Sequence, residues 1–233
     1  MAKTIGRTRS ARPRWSGSSR LHVKPFWSVP REFPGETVFI VAGGPSVLGQ
    51  DLNALRGRRV IVINSSVHAV PWADILFFGD WRWWYEPPNR AAATAFAGRV
   101  VTTSHMIPDK RVLVCRKAKP PGLAREPNSL MQRYTSLTAA TNLAAHLIGA
   151  GGTIIWLGAD GGRAADGRTH HHKPHPWPSL TGCYDQHHSD LLTIVPSLKA
   201  LGIAGYNASP GTAWGDLLPV IDLQEALGER RAA

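Results

Sequence analysis

Short runs of apolar, largely β-branched residues constrain the fold of this 233-residue chain most strongly. Several runs are apolar at every position instead of every second one, which is typical of strands covered on both faces. The predicted strands cover residues 37–42, 59–64, 74–78, 99–103, 111–115, 153–157 and 203–206. The predicted helices between them cover residues 47–55, 88–97, 137–148 and 189–201. This alternation predicts an α/β fold with a Rossmann-like, doubly wound and mostly parallel sheet.

Composition excludes several classes of protein. Two cysteines in a chain of this length do not make a disulfide scaffold. The longest apolar runs are strand-sized and fall short of the roughly 18 residues that a membrane span needs. The basic N-terminus is followed by no apolar segment with a cleavage site. We therefore expect a cytoplasmic protein with no membrane span, and the sequence indicates no particular oligomeric state.

The net charge of +11 is concentrated near the N-terminus. Residues 1–34 carry eight basic side chains and one acidic side chain, which accounts for +7 of the total. They are predicted as a basic, disordered arm, and residues 35–233 as the nucleotide-binding transferase domain. Such an arm can contact nucleic acid or another partner, or remain a solvated tail. Trp15, Phe26 and Trp27 lie among its basic residues and can stack on bases or pack back on the domain.

A glycine turn directly follows the first predicted strand. It comprises Gly43, Gly44, Pro45 and Ser46. Ligands of doubly wound sheets bind beyond the carboxyl ends of the strands, and free N–H groups at such a turn suit a phosphate or a carboxylate. Neither GxGxxG nor GxxxxGK[ST] is present, so a purely structural turn is the alternative.

Further polar side chains follow other predicted strands or open a helix. They are Asn64, Ser65, Asp80, Ser136, Thr138 and Asp160. Asn64 is placed to read a base or a sugar hydroxyl, although capping is the ordinary role of such residues. Asp80 is placed to bind a metal, a ribose or an acceptor hydroxyl and is predicted as a catalytic residue. Asp160 is a second carboxylate at the end of a predicted strand. Ser136 and Thr138 begin a helix of small residues and are positioned for an anion.

Three tryptophans occur within four residues after the third predicted strand, at Trp81, Trp83 and Trp84. They are predicted either to form a stacking wall for a base or sugar, or to pack over the edge of the sheet. Both interpretations remain open from the sequence.

Residues 160–188 show neither helical nor strand periodicity and hold six of the ten histidines. The six are His170, His171, His172, His175, His187 and His188. Their spacing matches no defined zinc motif, so no metal site is predicted. A general base, a phosphate-binding imidazole and a solvated loop are the other interpretations. As a catalytic base, His175 and His188 are favoured because each lies near an apparent loop or helix boundary.

The segments FIVAGGPSV, VIVINSS, FFGDWRWW, TSLTAATNLAAHL and IIWLGADGG occur in this order. Over residues 36–210 the arrangement resembles a broad family. It includes the 6-hydroxymethylpterin diphosphokinase-like domains, the motility accessory factors that modify flagellin and, more distantly, bacterial lipooligosaccharide sialyltransferases. Phage and prophage proteins with a similar GRTH…HP segment are the most similar in pattern.

The resemblance implies a Rossmann-like core that binds a nucleotide-activated donor at Gly43, Gly44, Pro45, Ser46 and Asn64. In the sialyltransferase-like branch a loop histidine is the general base and no metal is required. The resulting expectation is a glycosyltransferase-like enzyme that acts on a hydroxyl acceptor. Two alternatives stay open: an ATP-dependent diphosphokinase with Mg²⁺ on acidic residues, and a phage protein that binds nucleic acid or modifies a base.

Overall fold

Seven parallel strands form the central sheet of the computed structural model, which describes residues 25–173 and 182–228. The strands are β1 (Thr37–Val41), β2 (Arg59–Ile63), β3 (Ile75–Phe78), β4 (Arg99–Thr102), β5 (Leu113–Val114), β8 (Thr153–Leu157) and β9 (Ala204–Asn207). A separate parallel pair consists of β6 (Arg116–Ala118) and β7 (Ser129–Met131). The helices are α1 (Trp81–Tyr85), α2 (Pro87–Ala95), α3 (Ser136–Ile148), α4 (Cys183–Ala200) and α5 (Leu223–Ala226). The predicted α/β, Rossmann-like class is confirmed.

The direction in which strands are added to the sheet reverses at β1. The spatial order is β5-β4-β3-β2-β1-β8-β9, so the chain first builds outward from β1 and later returns to its other side. Ile40 of β1 is in register with Ile61 of β2 and with Trp156 of β8. Such a reversal opens a crevice between the carboxyl ends of the two diverging strands, where doubly wound proteins bind ligands.

The continuous apolar runs are explained by burial on both faces of the sheet. Along β1, Val38 and Ile40 belong to one hydrophobic core, whereas Phe39 and Val41 belong to the other. All four are almost completely buried. A buried side chain of this size contributes about 1.5–3 kcal/mol to stability, which holds the strand ends in fixed relative positions.

The predicted helix over residues 47–55 is wrong. Two short 3-10 helices, Pro45–Gly49 and Leu52–Leu55, take its place. Asp51 caps the second of these helices, since its carboxylate accepts a hydrogen bond from the backbone N–H of Asn53 at 3.0 Å. The other three predicted helices correspond to α2, α3 and α4. Because α4 begins at Cys183, the irregular segment is shorter than predicted.

The described part of the predicted arm packs against the domain. Val29 and Phe33 are only 5% and 9% exposed and join one of the two cores. The backbone N–H of Trp27 donates to the carbonyl of Val114 at 2.7 Å. Trp27, Val29 and Phe33 of the predicted arm therefore contact the domain, while residues 1–24 lie outside the described residues. Across the described residues, no helix has both the length and the apolar character that crossing a membrane requires.

Candidate active site

A cavity of about 280 Å³ lies at the carboxyl ends of β1, β2, β3 and β8. This is the switch point of the sheet, where a ligand site was predicted. The structure brings six of the predicted site residues together around it: Gly43, Gly44, Asn64, Asp80, Ser136 and Asp160. Each strand end contributes at least one of them, so the convergence follows directly from the parallel topology.

The glycine turn binds a carboxylate of the chain itself. The backbone N–H of Ser46 donates to Asp160 Oδ2 at 2.8 Å, and its hydroxyl donates to Oδ1 at 2.5 Å. Pro45 is buried, and neither it nor Ser46 lines the cavity. Asp160 thus occupies the position at Ser46 that was predicted for a phosphate. Gly43 and Gly44 line the cavity, but the N–H of Gly44 donates to the Gly158 carbonyl at 2.9 Å, and the rings of His170 and His172 lie against Gly43.

The pKa of Asp160 is shifted by opposing causes. Burial raises the pKa of this carboxyl group above its ordinary value, and the two hydrogen bonds from Ser46 lower it by less. Gly44 is packed against the carboxylate, since a Cβ at this position would lie 2.6 Å from Asp160 Cγ. The turn and the end of β8 are therefore fitted to each other.

Asn64 has two unusual features for a residue that lines the cavity. Its φ is 52°, and it is the only non-glycine residue with a positive φ in the described part of the chain. Its side-chain Oδ1 is buried with no hydrogen-bond donor among the described residues. Both features cost free energy in the absence of a ligand. A ligand N–H or O–H group can reach this oxygen only after the side chain turns towards the cavity.

Ser65 and Thr138 serve the fold. The Ser65 hydroxyl accepts a hydrogen bond from Trp83 Nε1 at 3.0 Å and donates to Asn89 Oδ1 at 3.2 Å. The Thr138 hydroxyl donates to the Thr135 carbonyl at 2.9 Å. Both side chains are buried and neither lines the cavity, so the predicted ligand contacts of these two residues have no support from their positions.

Asp80 caps α1 and pairs with Arg82. Its Oδ1 accepts from the backbone N–H of Arg82 at 2.9 Å, and its Oδ2 lies 2.5 Å from an Arg82 guanidinium nitrogen. Trp83 and Trp84 are buried against Phe78, with ring centroids 5.0 and 5.8 Å away. For these two tryptophans the packing interpretation holds.

A second cavity, of about 1060 Å³, adjoins the first. The two share the wall formed by Asp80, Tyr134, Ser136, Thr169, His170, His172, Cys183 and His187. Two adjoining cavities with a common wall suit a reaction between two substrates, because a group on that wall can contact both.

Three consecutive histidines lie over the glycine turn. The backbone N–H of His171 donates to the Gly43 carbonyl at 3.0 Å, and its Nε2 lies 3.0 Å from the Ser66 hydroxyl. Burial and the neighbouring charge of His172 lower the pKa of His171 to about 4. His172 Nδ1 donates to the Lys173 carbonyl at 2.9 Å, and burial lowers the pKa of this ring as well. His171 is thus a neutral residue that holds the loop in place.

On α4, His187 faces the cavities and His188 does not. Burial lowers the pKa of the His187 ring below its ordinary value, and the nearby Asp190 and the backbone of Tyr134 raise it by less. His188 instead contacts Asp216 Oδ2 at 2.9 Å and lines neither of the two cavities. The position of His188 therefore does not favour the predicted role as a base, and His175 lies outside the described residues.

Within residues 25–173 and 182–228, no group of three or more metal-ligating side chains is arranged to hold a metal ion. No protein-family model, curated protein or solved structure matches the chain. The family resemblance therefore remains an expectation. The functional proposal is based on the geometry of the two cavities.

Proposed function

We propose that this protein is a transferase that uses a nucleotide-activated donor, in the manner of a glycosyltransferase. The donor binds in the smaller cavity, and a hydroxyl acceptor binds in the larger one. The observation that carries the proposal is the convergence of polar groups from four strand ends on one cavity, including the unsatisfied carbonyl oxygen of Asn64.

Several features of the smaller cavity suit a nucleotide. Ser136 begins the 13-residue helix α3 and lines the cavity, so the positive end of the helix dipole is available to a diphosphate. On donor binding, the Asn64 side chain turns so that its Oδ1, which has no donor among the described residues, accepts a hydrogen bond from an amino group of the base or from a sugar hydroxyl. Tyr184 and Trp214 also line the cavity and offer ring surface.

His187 is the proposed general base. Burial lowers the pKa of His187, so the ring is mainly neutral at pH 7. One nitrogen of a neutral imidazole carries no proton and can act as a base. In the proposed step this nitrogen takes the proton of the acceptor hydroxyl while the oxygen attacks the activated sugar carbon. The bond from that carbon to the phosphate oxygen breaks, and its electron pair leaves with the nucleotide.

The contacts of the two aspartates favour this reaction over Mg²⁺-dependent pyrophosphoryl transfer. Asp80 is bonded to Arg82, and both oxygens of Asp160 accept from Ser46. A carboxylate that already accepts from cationic or N–H donors is a weaker ligand for Mg²⁺. The diphosphokinase alternative requires these contacts to open.

A matched pair of variants on α4 tests the proposal. Donors are first found by thermal shift with a panel of nucleotides and nucleotide sugars in chelator, and turnover is followed by nucleotide release. His187→Gln should keep donor binding and lose about 10²- to 10⁴-fold in turnover, because a general base contributes about this much. His188→Gln removes the neighbouring imidazole and should leave turnover within a factor of two. Equal turnover in both variants and the wild type, or turnover that depends strictly on Mg²⁺, would contradict the mechanism.

A further inference from the structure

The larger cavity has a strongly cationic lining. Among the described residues, its basic lining residues are Arg82, Lys117, Arg133, Arg163 and Arg168, and Asp80 is the one carboxylate that lines it. Arg133 and Arg168 also pair with Asp190 and Asp166, which lie outside the lining. Two of the basic residues, Lys117 and Arg163, form no ion pair with a carboxylate in the described part of the chain. A ligand of this cavity is therefore expected to carry negative charge.

Part of this lining is held in place from behind by a buried carboxylate. Asp190 of α4 is fully buried, and its Oδ1 accepts from Arg133 Nε at 2.9 Å. Its Oδ2 accepts from the backbone N–H of Tyr134 at 2.8 Å. The Arg133 guanidinium then lies 4.5 Å from the centre of the Tyr134 ring. Asp190 is thus a positioning residue for a preformed surface that combines a cation and an aromatic ring.

Two aromatic side chains in the lining are exposed. Trp81 and Tyr134 are each 46% exposed, although large aromatic side chains are usually buried for stability. Exposed rings among guanidinium groups are typical of surfaces that bind single-stranded nucleic acid, where bases stack on the rings and phosphates meet the cations. An anionic sugar would satisfy the charges but would not require both rings.

We propose that the larger cavity binds a nucleotide unit, a phosphate together with a base, as the acceptor of the proposed transfer. The role of this unit as the acceptor rests on the proposed function. The binding of a nucleotide unit to the larger cavity does not depend on it. The same unit is available from a free nucleotide or from a single-stranded nucleic acid. In either case the phosphate meets Lys117 and Arg163, and the base stacks on Trp81 or Tyr134.

Fluorescence anisotropy of the full chain with a labelled 12-nucleotide single strand tests this proposal, with nucleoside monophosphates as competitors. Trp81→Ala and Arg163→Gln should each lower the affinity at least fivefold, because a stacked base or a phosphate contact is lost. The matched controls Leu192→Ala and Arg125→Gln remove an exposed apolar side chain and an exposed charge outside both cavities, and should change the affinity less than twofold.

The outcomes separate the possible ligands. Competition by a monophosphate, with the same dependence on Trp81, identifies a free nucleotide as sufficient, whereas binding of the strand alone identifies the nucleic acid. If neither the single strand nor a nucleoside monophosphate binds, the proposal is wrong. Equal losses in the control variants, or a sulfated polysaccharide that binds with dependence on Arg163 but not on Trp81, would overturn it too.

Separate binding measurements distinguish failure of this proposal from failure of the proposed function. Asn64→Gly alters only the smaller cavity, so it should weaken nucleotide-sugar binding and leave binding at the larger cavity unchanged. If Asn64→Gly abolishes binding of the single strand, the nucleotide unit occupies the donor cavity and the inference is wrong. If the single strand binds as expected but no nucleotide sugar does, the proposed donor is wrong.

Discussion

Replacement of Gly44 by alanine should destabilise the protein, because the turn after β1 has no room for a side chain. A Cβ there would lie 2.6 Å from Asp160 Cγ and 2.7 Å from Oδ1, and it would also overlap the Gly158 carbonyl. Carbon atoms in ordinary contact are about 3.5–4.0 Å apart. Asp160 must therefore move by about 1 Å, and this movement weakens its hydrogen bonds from Ser46.

The loss of stability has two sources, the overpacking of the turn and the weaker hydrogen bonds to Asp160. Overpacking costs about 1–3 kcal/mol, and partial loss of hydrogen bonds to a buried carboxylate adds about 1 kcal/mol or more. A total of about 2–4 kcal/mol corresponds to a decrease in Tm of roughly 4–16 °C for a domain of this size. Gly49→Ala is the matched control, since a Cβ there meets nothing within 4 Å. Its effect should stay within about 0.5 kcal/mol.

Thermal unfolding followed by circular dichroism measures both variants against the wild type. Gly44→Ala should also bind the donor more weakly, because its turn borders the cavity. A Tm for Gly44→Ala within 2 °C of that for Gly49→Ala would show that the close packing of the turn on Asp160 does not exist in solution.

The remaining predictions concern ionisation. The pKa of His171 is lowered to about 4 from an ordinary 6.5, so its neutral form stabilises the fold above pH 6.5, and this contribution is lost as the pH falls towards 4. After allowance for partial exposure it amounts to about 1–3 kcal/mol. Chemical unfolding should therefore show a gap between wild type and His171→Gln that narrows from pH 7 to pH 4, and a constant gap would contradict this. Burial raises the pKa of Cys115 to about 12, whereas Cys183 is partly exposed. A disulfide reagent at pH 8 should label one thiol in the native protein and two after unfolding, and rapid labelling of both in the native state would refute the burial of Cys115.

The strands were predictable because the inner positions of most of their runs are apolar one after another, and that pattern has few explanations other than burial between two layers of helices. Six of the seven predicted runs contain a whole strand of the central sheet, and the run 203–206 overlaps β9, which ends at Asn207. The shortest, Leu113–Val114, is much shorter than its run of residues 111–115 and lies at the edge of the sheet. The parallel order then placed Gly43, Asn64, Asp80 and Asp160 at the same edge.

The wrong helix prediction and the choice of His188 have local causes. Asp51 hydrogen-bonds to the backbone within residues 47–55 and starts a new turn, which competes with a continuous helix. On α4, the buried residues Leu191, Ile194 and Leu198 are spaced by three and four. Extending that spacing towards the N-terminus places His187 on the inner face. This spacing was visible in the sequence, but its use required knowing that α4 begins at Cys183.

The occupation of the glycine turn by Asp160 had no signal in the sequence. Ser46 and Asp160 are separated by 114 residues, and a carboxylate of the chain suits an N–H cradle as well as a phosphate does. Only the three-dimensional contact decides between them. Asn64 was predicted as a ligand residue, but its positive φ and unsatisfied oxygen are likewise properties of the folded backbone.

Binding of nucleotide sugars to the wild type and to Asn64→Gly tests the central claim most directly. Glycine adopts a φ of 52° without strain, so the variant removes the unsatisfied oxygen and should unfold within about 1 kcal/mol of the wild type. In a thermal-shift titration with chelator present, at least one nucleotide sugar should raise the Tm of the wild type. Its affinity should fall about 10- to 100-fold in Asn64→Gly, as expected for the loss of a buried hydrogen bond of about 1.4–3 kcal/mol. Absence of any such ligand, or equal affinity for both proteins, would contradict the assignment of this cavity to a nucleotide-activated donor.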